Sequence, residues 1–252
     1  MQTAEGYYYT DMTGGMNRDP IVLIHGIGGN HLVWPAAMRR ADGRRVLAVD
    51  LPGHGRSEGC AFRSVESYSS SLNAVLKSAG VFRAIFVGYS LGGQIALQYS
   101  LEHPDQCAGL GLIAASAEPA VPSILTDLLN DPLAGAEVNR MIRTLVFWPE
   151  LLPSQMFDLE KLLFTARKGT LVCDWQAFKT YSQPHLQEGL PQVPLWVCAA
   201  SGDRLVSQFK ARHLMARRKH ARWDLLNDCA HALLVERPRE LSNAFLSWLA
   251  GI

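Results

Sequence analysis

Several features are scarce in this 252-residue chain, and each scarcity excludes something. The apolar runs Ile21–Ile24, Ala84–Val87 and Leu195–Ala200 fall far short of the roughly 20 residues a membrane-spanning helix needs, so no membrane span is expected. Charge of one sign is lacking: 24 Lys+Arg face 23 Asp+Glu, a formal net charge of +1. No overall positive field would recruit phosphates, which argues against a general nucleic-acid binder. The cysteines Cys60, Cys107, Cys173, Cys198 and Cys229 are odd in number, scattered and without CxxC spacing. They read as reduced thiols of a cytoplasmic protein rather than a disulfide framework. The eight histidines lie apart with no HExxH, so no metal site is expected. The first residues lack a basic start followed by an apolar stretch, so no secretory signal is expected and a cytoplasmic location follows. What is plentiful is apolar volume: 48% hydrophobic against 19% charged residues can offset the entropy of ordering and excludes a disordered chain.

Short apolar strands alternate with longer amphipathic stretches. Ile21–Ile24, Arg45–Val49, Ala84–Val87 and Leu110–Ala115 read as strands, with helices over Ser64–Ala79 and Leu91–Glu102 between them. From about Glu118 to Leu190 the pattern turns helical, entered at Pro119 and Pro122 and left at Pro191 and Pro194. The first pattern then returns: strand Leu195–Ala200, helix Gln208–Arg217, a strand near Trp223–Leu226 and a last helix Pro238–Leu249. This predicts an α/β fold, a mostly parallel central sheet flanked by helices, with a core over residues 1–117 and 191–252 and a helical lid over 118–190. Ligands of such sheets bind beyond the carboxyl ends of the strands, so the residues just after each strand matter most.

Gly88-Tyr89-Ser90-Leu91-Gly92 fits G-x-S-x-G between a strand and a helix. A sharp turn there would project the Ser90 hydroxyl, and the glycines would let strand and helix approach closely. Serine needs a base, and His231 follows the Trp223–Leu226 strand; the base needs an acid, and Asp203 follows Leu195–Ala200. Glu118, after the fourth strand, is the rival acid. Backbone N–H groups of Leu91 and of Ile27, in the turn His25–Gly29, are the candidates for an oxyanion pocket, with His25 bracing that turn. Trp34, Tyr89, Phe147, Trp148 and Val206 are the candidate substrate walls, and the other lid aromatics, Phe164, Trp175 and Phe178 among them, divide between packing and lining. His185, at the lid exit, is a candidate substrate contact. Lys210, Arg212, Arg217, Arg218, Lys219 and Arg222 form a basic stretch, read as a solvated face with acyl-carrier protein docking as the alternative.

Taken together, His25-Gly26, Asp50-Leu51-Pro52-Gly53-His54-Gly55-Arg56-Ser57, Gly88–Gly93, His103-Pro104, Gly202-Asp203 and His231 resemble the α/β-hydrolase superfamily across most of the chain outside the lid. The resemblance implies a structural role for Asp50, His54 and Arg56. Size and the Gly88–Gly93 run look like small bacterial carboxylesterases, including the pimeloyl-carrier methyl esterase type, and like the menaquinone-pathway lyase type. The lyase is expected to carry an arginine after the elbow glycines, where this chain has Gln94; Arg140, Arg143 and Arg167 in the lid are the candidates to replace it. The expectation is a serine hydrolase of uncharged esters with a short or medium acyl chain, needing no cofactor. The lyase and a ligand-sensing receptor that retains the triad are the alternatives.

Overall fold

A computed structural model describes the chain except residues 2, 4, 16, 17, 132, 184–188, 217, 219 and 220, and the side chains of 42, 126, 130 and 168. Seven strands form one sheet in the order β1-β3-β2-β4-β5-β6-β7. Five of them, β2 (Ile21–Ile24), β3 (Val46–Val49), β4 (Ala84–Tyr89), β5 (Cys107–Ile113) and β6 (Leu195–Ala200), are buried along their whole length. That is why they read as continuous apolar runs rather than alternating ones: helices cover both faces of a parallel sheet. All neighbouring pairs from β3 through β7 are parallel. β7 (Ala221–Leu226) is half-buried at one edge. The opposite edge is β1 (Tyr9–Met12), antiparallel to β3 with Tyr9 opposite Val49, a strand absent from the sequence reading. Its sequence, Tyr-Thr-Asp-Met, has no apolar run, and pairing to β3 supplies what local pattern does not.

α1 (Ala36–Arg39) precedes β3, and α2 (Val65–Ala79) follows it. The Ser64 side chain caps α2 by accepting the Ser67 N–H, and Gly80 ends it at φ 62°, a left-handed conformation that favours glycine. Its buried face carries Val65, Tyr68, Leu72, Val75 and Leu76, the face the periodicity predicts. α3 (Leu91–Glu102) runs back beneath the sheet and is buried through Ser100. Between β5 and β6, among the described residues, stand α4 (Ser123–Asn130), α5 (Gly135–Val146), α6 (Pro153–Leu163) and α7 (Lys168–Thr180). After β6 come α8 (Gln208–His213), shorter than the predicted Gln208–Arg217, then α9 (Leu233–Glu236) and α10 (Pro238–Leu249). Among the described residues no helix is long and apolar enough to cross a membrane.

Candidate active site

Ser90 sits between β4 and α3 at φ 55° and ψ −118°, a strained left-handed geometry for a residue with a side chain. The glycines around it are required by space. A Cβ on Gly88 would lie 2.1 Å from the Gly92 carbonyl oxygen, and one on Gly92 would lie 2.1 Å from that of Ile24. The turn therefore closes only with glycine at both positions, and it holds Ser90 at the carboxyl end of the sheet, 2% exposed.

His231 and Asp203 meet it there. His231 Nε2 lies 2.7 Å from Ser90 Oγ, and Nδ1 lies 2.9 Å from Asp203 Oδ2. A carboxylate only accepts, so Nδ1 carries the proton facing Asp203 and Nε2 is left to accept from the serine hydroxyl. The other Asp203 oxygen accepts the N–H groups of Leu205 and Val206, which fixes the carboxylate. Glu118 stands elsewhere, accepting from Ser182 Oγ at 3.4 Å. Tyr89 Oη donates to the His231 carbonyl, and the Glu236 carboxylate accepts the N–H groups of Ala230 and Trp148. Burial raises the Glu236 pKa, against the pull of those two N–H groups. Ala232 N–H donates to the Val146 carbonyl, so the loop bearing His231 is tied twice to the end of α5.

The turn after β2 approaches Ser90 closely, since a Cβ on Gly26 would sit 3.1 Å from the Ser90 Cβ. His25 braces that turn, with Nδ1–H donating to the Gly26 carbonyl and Nε2 accepting the Leu51 N–H. Those partners require a neutral ring, and burial, aided by the nearby His54, pushes its pKa down to about 4. Among the described residues the N–H groups of Ile27 and Leu91 have no protein acceptor.

Sequence reasoning missed Asp174. It lies on α7 with no exposed surface, and its carboxylate accepts from Gly28 N–H at 2.8 Å, from His54 Nε2 at 2.8 Å and from Tyr68 Oη. His54 Nδ1 faces the Pro52 carbonyl at 3.1 Å, so both ring nitrogens point at acceptors and the ring is an imidazolium. Burial alone would lower the His54 pKa; Asp174 outweighs it and the net shift is upward. The Gly28 carbonyl in turn accepts the N–H groups of Thr165 and Ala166. The helical insertion is thus tied to the turn beside Ser90 as well as to the His231 loop. The one available signal was an acid inside the apolar run Leu171-Val172-Cys173-Asp174-Trp175. Asp50 ties its own loop to the segment after β2, accepting from the His31 ring and from the backbone N–H groups of His31 and Arg56.

A small cavity opens on Ser90, lined by Ile27, Tyr89, Val146, Leu163, Phe164, Trp175, Leu205 and His231. Of the five predicted wall residues, Tyr89 is among these. Val146, the last residue of α5, lines it, whereas Phe147 and Trp148 turn away: Phe147 is buried in the core and Trp148 packs over Gly202. Leu205 takes the place expected of Val206, its neighbour, and Trp34 is buried away from the cavity. The lid aromatics that do line it are Phe164 and Trp175. Gln94 is buried and donates to the Phe178 carbonyl. Arg143 pairs with Glu160 and Arg140 with Glu137, both outside the cavity, and Arg167 does not line it either. In the basic stretch, Arg222 pairs with Asp224, Arg212 lies over Trp223, and Arg218 donates to the carbonyls of Leu190 and Pro191. His185, Arg217 and Lys219 fall outside the described residues.

Comparison with known proteins agrees with the topology. The chain is 39% identical over 123 residues to a pimeloyl-[acyl-carrier protein] methyl ester esterase of Pectobacterium carotovorum, a match covering 47% of each chain. It is 33% identical over 108 residues to a 2-succinyl-6-hydroxy-2,4-cyclohexadiene-1-carboxylate synthase of Serratia proteamaculans, covering 43% of this chain and 42% of that one. The matches thus span less than half the length of these curated relatives. Among solved structures, an enol-lactonase from Burkholderia xenovorans superposes with a TM-score of 0.84 at 20% identity over 97% of this chain and 96% of that one. A thermophilic esterase from Thermogutta terrifontis superposes with 0.83 at 18% identity over 97% and 93%. Residues 21–244 match the model of the alpha/beta hydrolase family, and the chain belongs to that family.

Proposed function

We propose that the protein is a serine hydrolase that cleaves uncharged carboxylic esters through an acyl-enzyme. The observation that carries this reading is the unbroken hydrogen-bonded chain from Ser90 Oγ through His231 to Asp203. His231 Nε2 takes the serine proton as Ser90 Oγ bonds to the ester carbonyl carbon. The oxygen that becomes negative is held by the N–H groups of Ile27 and Leu91, and the first turn of α3 adds its positive end. His231 then gives the proton to the departing alkoxide as the carbon–oxygen bond breaks. Water repeats the sequence on the acyl-enzyme, releasing the acid and restoring the hydroxyl. Asp203 keeps the ring in the required tautomer and stabilises its cation. The insertion α4–α7 acts as the roof of the site.

Esterases among the relatives and structural neighbours support this class. The pimeloyl-carrier relative raises an acyl-carrier-linked ester as a substrate, with the basic stretch as a docking face; the local pairing of Arg222 and Arg218 leaves that face weaker than the sequence suggests. The synthase relative keeps the lyase as a second reading. Among the described residues no Lys or Arg lines the cavity, which favours an uncharged substrate over a polyanion. Turnover of p-nitrophenyl acetate and butyrate, with Ser90→Ala beside the wild type, tests the proposal. Repeated turnover abolished in the variant is expected. A single slow turnover with tight retention of the acyl group indicates a sensor, and turnover surviving in Ser90→Ala overturns the reading.

A further inference from the structure

We propose that a second apolar chamber, formed between α4, α5 and α7 and partly open to solvent, receives the acyl chain of the substrate, and that the preferred chains are unbranched and about six to ten carbons long. This rests on the ester-hydrolase reading of Ser90 and adds to it the class of acyl group.

The cavity at Ser90 has about 10 Å³ of free volume, enough for about one water molecule. It accommodates a reacting carbonyl and little else. The chamber in the insertion has about 280 Å³ and is walled by Leu129, Val138, Ile142, Leu171 and Val172, with exposed Asn139 at its rim. Among the described residues no Lys, Arg, Asp or Glu lines either space, so the matching ligand is a hydrocarbon chain rather than a charged one.

The two spaces share the same helix faces. On α5, Ile142 lines the chamber and Val146 the inner cavity; on α7, Leu171 lines the chamber and Trp175 the inner cavity. Each pair is four residues apart, which places the two side chains on one face, one turn or about 5.4 Å along the helix. A chain that leaves Ser90 along the seam between α5 and α7 enters the chamber after roughly four carbons, the length of one helical turn. The partition on the α7 side is a side chain: Leu171 packs so close to Gly28 that a Cβ there would lie 2.4 Å from Leu171 Cδ2. A rotamer change can open it, where a backbone wall could not.

Both helices are also fixed relative to Ser90. The end of α5 is held through Val146 O to Ala232 N–H and Trp148 N–H to Glu236, and α7 through Asp174 to Gly28, His54 and Tyr68. The chamber therefore stands at a set distance from the nucleophile, as a gauge of chain length requires.

The experiment compares wild type with Val138→Trp, which fills the chamber from α5, and Val172→Phe, which fills it from α7. The first readout is the ratio of kcat/KM on p-nitrophenyl octanoate to that on the acetate. At about fourfold per buried methylene, the wild-type ratio is expected to exceed ten. Each variant is expected to reduce it at least tenfold. The second readout is calorimetric binding of the uncharged ester methyl decanoate to Ser90→Ala with and without Val138→Trp, where the filled chamber is expected to weaken binding at least tenfold. Equal ratios in wild type and folded variants, or methyl decanoate binding unchanged by Val138→Trp, overturn the inference. Activity that survives Ser90→Ala instead sinks the hydrolase reading, and the methyl decanoate measurement still decides the chamber.

Discussion

At the scale of single residues, the site depends on a few atoms that have no freedom to be elsewhere. Ser90 accepts a strained backbone because the glycines at 88 and 92 let β4 and α3 close around it. Asp203 spends one oxygen on two backbone N–H groups and the other on His231, so it acts as a fixed acceptor rather than a mobile charge. Asp203→Asn keeps the shape but presents an amide that can donate to Nδ1, which turns the ring to the wrong tautomer. Its kcat on p-nitrophenyl butyrate is expected to fall about 10⁴-fold with KM little changed. A loss below tenfold in steady-state kinetics contradicts that role. The residues of this chain of hydrogen bonds were legible in the sequence because each follows a strand and each is chemically distinctive. The pocket walls were not: whether Val146 or Phe147, Leu205 or Val206, faces the cavity depends on a rotation of one residue at a helix end or loop, and composition does not report it.

Among the elements, the sheet strands and α2 could be read from apolar runs, helical period and caps, because burial on both faces writes itself into sequence. β1 could not, since a four-residue edge strand without an apolar run is defined by its partner. The role of α7 was equally hidden: its link to the turn after β2 runs between Asp174 and residues more than 100 positions away. That link has a measurable consequence. Asp174→Ala removes the shared acceptor of the Gly28 N–H, the His54 ring and the Tyr68 hydroxyl in a dry site, and each buried group left unsatisfied costs about 1–3 kcal/mol. Urea unfolding is expected to register that loss. Kinetics is expected to register a fall in kcat larger than any rise in KM, because Gly28 and the adjoining Ile27 N–H lose their anchor. A variant as stable and as fast as wild type contradicts the tie.

For the whole molecule, two buried histidines link stability to pH with opposite signs. The folded His25 ring is held neutral down to about pH 4, by burial first and by His54 second, whereas the unfolded ring protonates near the ordinary value of about 6.5. Stability is therefore lost as pH falls from about 6.5 toward 4. The folded His54 ring holds its proton above the ordinary value, because Asp174 outweighs burial. Its contribution is complete below about pH 6.5 and is lost as pH rises through the folded value. The urea midpoint plotted against pH is expected to decline on both sides of a maximum, and His25→Gln to flatten the acid limb. An unchanged acid limb in that variant contradicts the assignment.

The central claim is that His231 activates the Ser90 hydroxyl. The most direct measurement is intact-protein and peptide mass spectrometry after brief exposure to a fluorophosphonate, which reacts with activated serines. The account predicts one adduct per chain, located on Ser90, with labelling slowed by orders of magnitude in His231→Ala. Failure of Ser90 to react in the folded protein, or an equal rate of labelling without His231, would contradict it.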